Sequence, residues 1–100
     1  MAKDLEILWL KKAFETLRAA VDHIALDHPQ AAKNFMSQVE HQIALLRRHP
    51  HMGRVGKTTG TRELIIQRYH YIIPYRIKHD CIEIIRVFHM ARQYPPQNKN

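Results

Sequence analysis

The stretch Gly60–Tyr94 reads G-T-R-E-L-I-I-Q-R-Y-H-Y-I-I-P-Y-R-I-K-H-D-C-I-E-I-I-R-V-F-H-M-A-R-Q-Y. It divides into three β-rich runs, Arg62–Gln67, Tyr69–Lys78 and Cys81–His89, separated by short polar breaks. Isoleucine, valine and aromatic residues dominate them, as strands prefer. Lys78–Asp80 reads as a tight turn between the second and third runs. Pro74 lies inside the second run, where its missing N–H requires a bulge or an unpaired ladder position. Period two separates Tyr69, Tyr71, Ile73, Tyr75 and Ile77, the expected core face, from the more basic His70, Ile72, Pro74, Arg76 and Lys78. In the third run Cys81, Glu83, Ile85, Val87 and His89 alternate with Ile82, Ile84, Arg86, Phe88 and Met90. Neither set is cleanly apolar, so the face taken by His89 stays open, at a strand end where register breaks easily.

Upstream the period changes. Leu5–Leu10 is read as a first strand, with the opening of the next helix as the alternative. Leu10, Phe14, Leu17, Val21 and Ile24 then recur at steps of three and four, one face of a helix. That helix should stop near Leu26–Asp27, because the residue before Pro29 resists helical geometry. Pro29 suits the first position of a second helix, capped by Asp27 or His28. Ala32, Phe35 or Met36, Val39, Ile43 and Leu46 form its apolar face. Arg47 and Arg48 suit the negative end of its dipole, and Pro50 marks the stop. Two helices joined this closely pack antiparallel. His49–Gly60 is expected to be a loop, without P-loop spacing. The expected fold is α+β. An N-terminal strand and an antiparallel helical hairpin pack on one face of a small antiparallel sheet, in the order β-α-α-β-β-β. The other sheet face is left open.

One hundred residues fit a single domain spanning 1–100, with residues from Pro95 onward expected to fray. One cysteine, Cys81, excludes an intrachain disulfide. No signal-peptide pattern and no membrane-spanning apolar run are present, which points to the cytoplasm and away from membranes. The charge is uneven. Residues 1–46 carry five Lys/Arg and six Asp/Glu, a net −1, whereas residues 47–100 carry eleven against three, a net +8. A field of one sign on one half calls for an acidic partner. His49, His51, His70, His79 and His89 make no metal-ligand spacing, and no metal or cofactor is expected.

The candidates for chemistry are Arg62, Arg68, Arg76, His89, Arg92 and Tyr94. Arginines hold phosphate or carboxylate bidentately, and histidine is the usual acid or base near neutral pH. Such a set could cleave RNA without metal, the arginines holding charge on the phosphorane. The plainer reading is that the arginines dock a carboxylate-rich protein segment and His89 is a packing side chain.

Several linked pieces resemble the RelE/ParE superfamily of toxins from bacterial type II toxin–antitoxin systems. They are W-x-x-x-A at Trp9 and Ala13, H-P-Q-A-A-x-x-F ending at Phe35, L-x-x-x-P from Leu46 to Pro50, and G-R-x-G at Gly53–Gly56. G-T-R-E-L at Gly60, Y-I-I-P-Y-R-I at Tyr71 and I-E-I-I-R-V-F-H-M-A-R-Q-Y-P at Ile82 complete them. The resemblance implies a growth-inhibiting toxin, with a role in plasmid maintenance, neutralised by a cognate antitoxin. Operator DNA would be met only through that antitoxin. The superfamily divides on target. ParE-like members act on DNA gyrase, and RelE-like members cut mRNA in the ribosomal A site. The G-T-R-E-L and H-x-A-R-Q-Y-P pieces are closer to ParE-like sequences, which favours gyrase. Arg54, Arg62, Arg68, Arg76, Arg86 and Arg92 would then dock target and antitoxin. If the chain is RelE-like, it is an endoribonuclease, and Arg62, Arg68, Arg76, His89, Arg92 and Tyr94 are its catalytic set. A third alternative, a non-toxic basic nucleic-acid-binding module, finds no helix-turn-helix or RNP pattern here.

Overall fold

Apolar periodicity turns into structure much as the pattern dictates. In a computed structural model, residues 4–91 are described. The expectations for Arg92, Tyr94 and the tail from Pro95 lie outside the described residues. Strand β1 (Glu6–Trp9) leads into helix α1 (Lys11–Asp27), which is followed after one residue by helix α2 (Pro29–Arg48). Pro29 occupies the first turn of α2 and His28 its cap position, with no side-chain capping bond. The remaining strands are β2 (Arg54–Val55), β3 (Arg62–Ile66), β4 (Tyr71–Lys78), β5 (Cys81–Ile84) and β6 (Phe88–His89). A short 3-10 helix (Gln67–Tyr69) joins β3 to β4.

The sheet runs β1-β5-β4-β3-β2, with β6 also paired to β4. The β3–β4–β5 meander is antiparallel, as expected from its short connections. Strand β1 adds to it in parallel with β5, so the complete sheet is mixed. The chain can do this because the helical hairpin separates β1 from the meander in sequence. Arg47 fastens the arrangement, its carbonyl accepting from the Leu5 N–H at 3.0 Å and its Nε donating to the Leu5 carbonyl at 2.8 Å.

The helices cover one sheet face. Phe35, Val39 and Leu46 of α2 meet Leu64, Ile66, Tyr71, Ile73, Tyr75, Ile82 and Ile84 in one core. On α1 the closest approach is made by Ala13 and Ala20, while Phe14 stays 60% exposed. The stripe from Leu10 to Ile24 is therefore rotated from the expected one. Small residues sit at the closest contact and larger Leu17, Val21 and Ile24 pack at its margin.

Two segments depart from the expected outline. The loop His49–Gly60 contains β2, which pairs Arg54 with Glu63 and Val55 with Arg62. The third β run is interrupted. Tyr75 pairs with Ile84, but Ile72 pairs with Phe88, so three residues (85–87) face two (73–74) on β4. That is a β-bulge, and it stands opposite Pro74. The Pro74 carbonyl accepts from the Ile85 N–H at 2.9 Å. Its missing N–H faces the same interrupted edge, which resolves the awkward proline.

Candidate functional site

Register assigns each candidate to a face. Rows running across the sheet on the side away from the helices are Arg54–Glu63–Pro74, Ile65–Ile72–Phe88, Arg76–Glu83–Leu8 and Lys78–Cys81–Glu6. Two of these rows are ion pairs. Arg54 Nε donates to Glu63 Oε1 at 2.8 Å, and the Glu63 side chain is only 2% exposed. The second Glu63 oxygen accepts from the Lys57 N–H at 3.3 Å. Arg76 Nε donates to Glu83 Oε1 at 2.7 Å. That bond holds the Glu83 carboxyl below the ordinary glutamate value, against the opposing effect of its desolvation and with a further lowering from Lys78.

Arg62 is placed elsewhere. It aligns with Tyr75 on the helix side, and its Nη1 donates to the carbonyls of His51 (3.1 Å) and Gly53 (2.7 Å). The Tyr75 hydroxyl donates to the Pro50 carbonyl at 2.6 Å and accepts from the Gly53 N–H at 3.0 Å. Arg62 and Tyr75 thus grip the Pro50–Gly53 turn between them. Burial raises the Tyr75 pKa, only partly offset by the Gly53 hydrogen bond and the Arg62 charge. Gly53 is required at this grip, because a Cβ there would fall 2.6 Å from the Tyr75 hydroxyl and 2.8 Å from the Glu63 carbonyl.

Arg68 sits exposed on the 3-10 helix, its guanidinium 6.0 Å from the Tyr69 ring centre. His89 turns to the helix side and meets Tyr71 edge to face at 5.0 Å. Tyr71 packs on Phe35 at 5.1 Å, and Phe35 on Tyr69 at 5.5 Å, so His89 ends a file of rings. Its Nδ1 accepts from the Ala91 N–H at 3.3 Å. Arg86 lies within the bulge and stacks over Phe88, 4.9 Å from the ring centre.

The structure does not bring all the described candidates to one point: Arg68 and His89 lie at the same end of β4, tied by the Met90 N–H to the His70 carbonyl at 2.6 Å, but Arg62 does not. His89 pairs beside Tyr71 and Arg62 beside Tyr75, on opposite edges of β4. Four residues of strand separate them by roughly 13 Å along the sheet before its width is counted. Arg54 and Arg76 share the opposite face but are occupied by glutamates. The arrangement is suited to presenting charge over an area. It does not assemble an acid, a base and a phosphate clamp around one atom among the described residues. Tyr75 lies on the core face as expected, but the role of its hydroxyl and the pairings of Glu63 and Glu83 were not foreseen. Glu83 could have been found, since a two-residue turn at His79–Asp80 fixes Arg76 opposite Glu83.

A helical hairpin on one face of a mixed sheet recurs in solved proteins of toxin–antitoxin systems. The chain superposes on a protein of the chromosomal ParDE toxin–antitoxin system of P. aeruginosa with a TM-score of 0.76 and 26% identity. That match covers 87% of this chain and 97% of the other. A chain of the E. coli DinJ–YafQ toxin–antitoxin complex shares the fold, at TM-score 0.63 and 13% identity over 92% of this chain and 99% of that one. Residues 7–94 match the ParE toxin of type II toxin–antitoxin system, parDE, and the chain belongs to this family within the RelE/ParE superfamily. A Sinorhizobium fredii protein assigned as a toxin, Y4kP, is 36% identical over 89% of this chain and 92% of its own length. The Caulobacter vibrioides toxin RelE2 is 29% identical over 87% of this chain and 97% of its own length.

Proposed function

We propose that this toxin arrests growth by docking on DNA gyrase, and that a cognate antitoxin neutralises it by direct binding. The observation that carries the reading is the dispersal of the candidate groups among the described residues. His89 is stacked on Tyr71, Arg62 is bound to backbone carbonyls, and Arg54 and Arg76 are paired with glutamates. A nuclease needs its base, acid and phosphate-binding groups within reach of one scissile bond. A docking inhibitor needs an extended complementary surface, which a sheet face with fixed arginines supplies. Membership of the ParE family supports the same choice and favours a toxin over a non-toxic nucleic-acid-binding module. The antitoxin partner is supported by the solved relatives, which come from a toxin–antitoxin system and a toxin–antitoxin complex.

The test is induction of the chain alone in a bacterial cell, following mRNA integrity and the DNA-damage response over the first minutes. Filamentation with a DNA-damage response and intact mRNA is the expected outcome, and His89→Gln should leave it in place. Rapid cleavage phased to the ribosomal A site would overturn the gyrase reading. It would make Arg62, Arg68, Arg76, His89, Arg92 and Tyr94 active-site candidates again.

A further inference from the structure

Arg86 differs from the other arginines of the sheet. Among the described residues its buried Nε meets no hydrogen-bond acceptor and no ion pair reaches its guanidinium. Arg54 and Arg76 on the same face each hold a carboxylate at 2.8 and 2.7 Å. A buried charged donor without a protein acceptor is unfavourable, and each such group in a folded chain calls for an explanation.

The backbone around Arg86 is fixed on both sides. The Ile85 N–H donates to Pro74 at 2.9 Å, and the Val87 N–H donates to the Thr16 hydroxyl of α1 at 2.9 Å. Val87 is driven into the core, so Arg86 projects from the opposite face. The extra residue of the bulge produces this direction. In an unbroken strand Arg86 would follow Ile82 and Ile84 into the core. Bulges commonly re-aim one side chain in this way. Phe88 lies beneath the guanidinium, its ring centre 4.9 Å from the guanidinium carbon.

We propose that Arg86 is the anchor for a carboxylate side chain of the antitoxin. The inference rests on the antitoxin reading above. A carboxylate fits better than a nucleic-acid backbone, because the other arginines of this face are already neutralised, Arg54 by Glu63 and Arg76 by Glu83. Polyanion binding draws on several unpaired cations together. One planar fork beside an aromatic ring, set in a face of balanced charge, matches a single bidentate carboxylate.

The experiment compares Arg86→Met and Arg86→Lys in the full chain, using the cognate antitoxin as the binding partner. It measures the dissociation constant, the melting temperature of the free toxin, and growth arrest on induction. Arg86→Met should weaken antitoxin binding by about 30-fold or more. Arg86→Lys should fall between, because an ammonium cannot reproduce the fork. The free toxin should melt at the same or a higher temperature in Arg86→Met, since Nε gives up no hydrogen bond. Unchanged affinity in Arg86→Met would overturn the anchor, as would a lowered melting temperature with no loss of affinity, which assigns the residue a packing role. Loss of growth arrest with affinity intact would overturn it too, because Arg86 would then serve the target. Failure of the wild-type chain to bind would overturn the antitoxin reading itself.

Discussion

The two faces of the sheet use the same residue types for different ends. On the helix side, Tyr71, Ile73 and Tyr75 are enclosed by α2, and Arg62 is spent on carbonyls of the Pro50–Gly53 turn. On the opposite side, arginines meet carboxylates across strands or, at Arg86, an aromatic ring. The difference teaches that an arginine in a strand is not by itself a site. Its face decides whether it braces the fold or is presented to a partner.

The contrast is broken most directly by truncating one apolar residue on each side. Ile73 has no exposed surface, so Ile73→Ala removes buried methyl groups and leaves a cavity, at a cost of about 2–5 kcal/mol. Leu8 is 49% exposed on the other face, and Leu8→Ala should cost less than about 1 kcal/mol. Urea unfolding of both variants checks this. Equal costs would mean that Leu8 also belongs to a packed core.

The next effect isolates the brace. Tyr75→Phe keeps the ring in the core but removes the hydroxyl that bridges Pro50 and Gly53, leaving the buried Gly53 N–H without its acceptor. The expected loss is about 1–3 kcal/mol. The same variant has a pH signature. Burial holds the folded Tyr75 pKa above its ordinary value, so the unfolded chain ionises first as the solution becomes alkaline. Stability is therefore lost as pH rises past the ordinary tyrosine value, and Tyr75→Phe should lose less there than the wild type. Parallel alkaline profiles would sink the assignment.

The helices, the meander and the core residues of β4 were legible because each rests on local periodicity. Pro29, Pro50 and the turn at Lys78–Asp80 fixed the boundaries. The sequence also made Pro74 awkward, and the bulge opposite it is the physical answer. That one extra residue is why the alternation of the third run misleads. Glu83 and Val87 look like neighbours on one face, yet Glu83 meets Arg76 away from the helices and Val87 enters the core. The face of His89 depends on this slip and so could not be read locally. The arginines of the site were identified as residues, but their partners were not. Arg62 finds its carbonyls eleven and nine residues back, and Arg54 its carboxylate nine residues on, through pairings that only the assembled sheet creates.

The smallest effect concerns the pair at the end of the exposed face. Arg76 and Glu83 are partly open to solvent, so their attraction is screened and its contribution is slight. Its sign is nevertheless fixed. The hydrogen bond from Arg76 lowers the folded Glu83 pKa, so the contribution is complete above the ordinary glutamate value and is lost as pH falls through the lowered one. A double-mutant cycle of Arg76→Gln and Glu83→Gln should show favourable coupling at neutral pH that vanishes in acid and weakens with salt. Coupling that persisted in acid would mean that a neutral hydrogen bond, and not charge, joins the two residues. Arg76 would then be as firmly committed to the fold as Arg62. Coupling that vanishes leaves Arg76 held by charge alone, so that a stronger acidic partner can draw it away from Glu83.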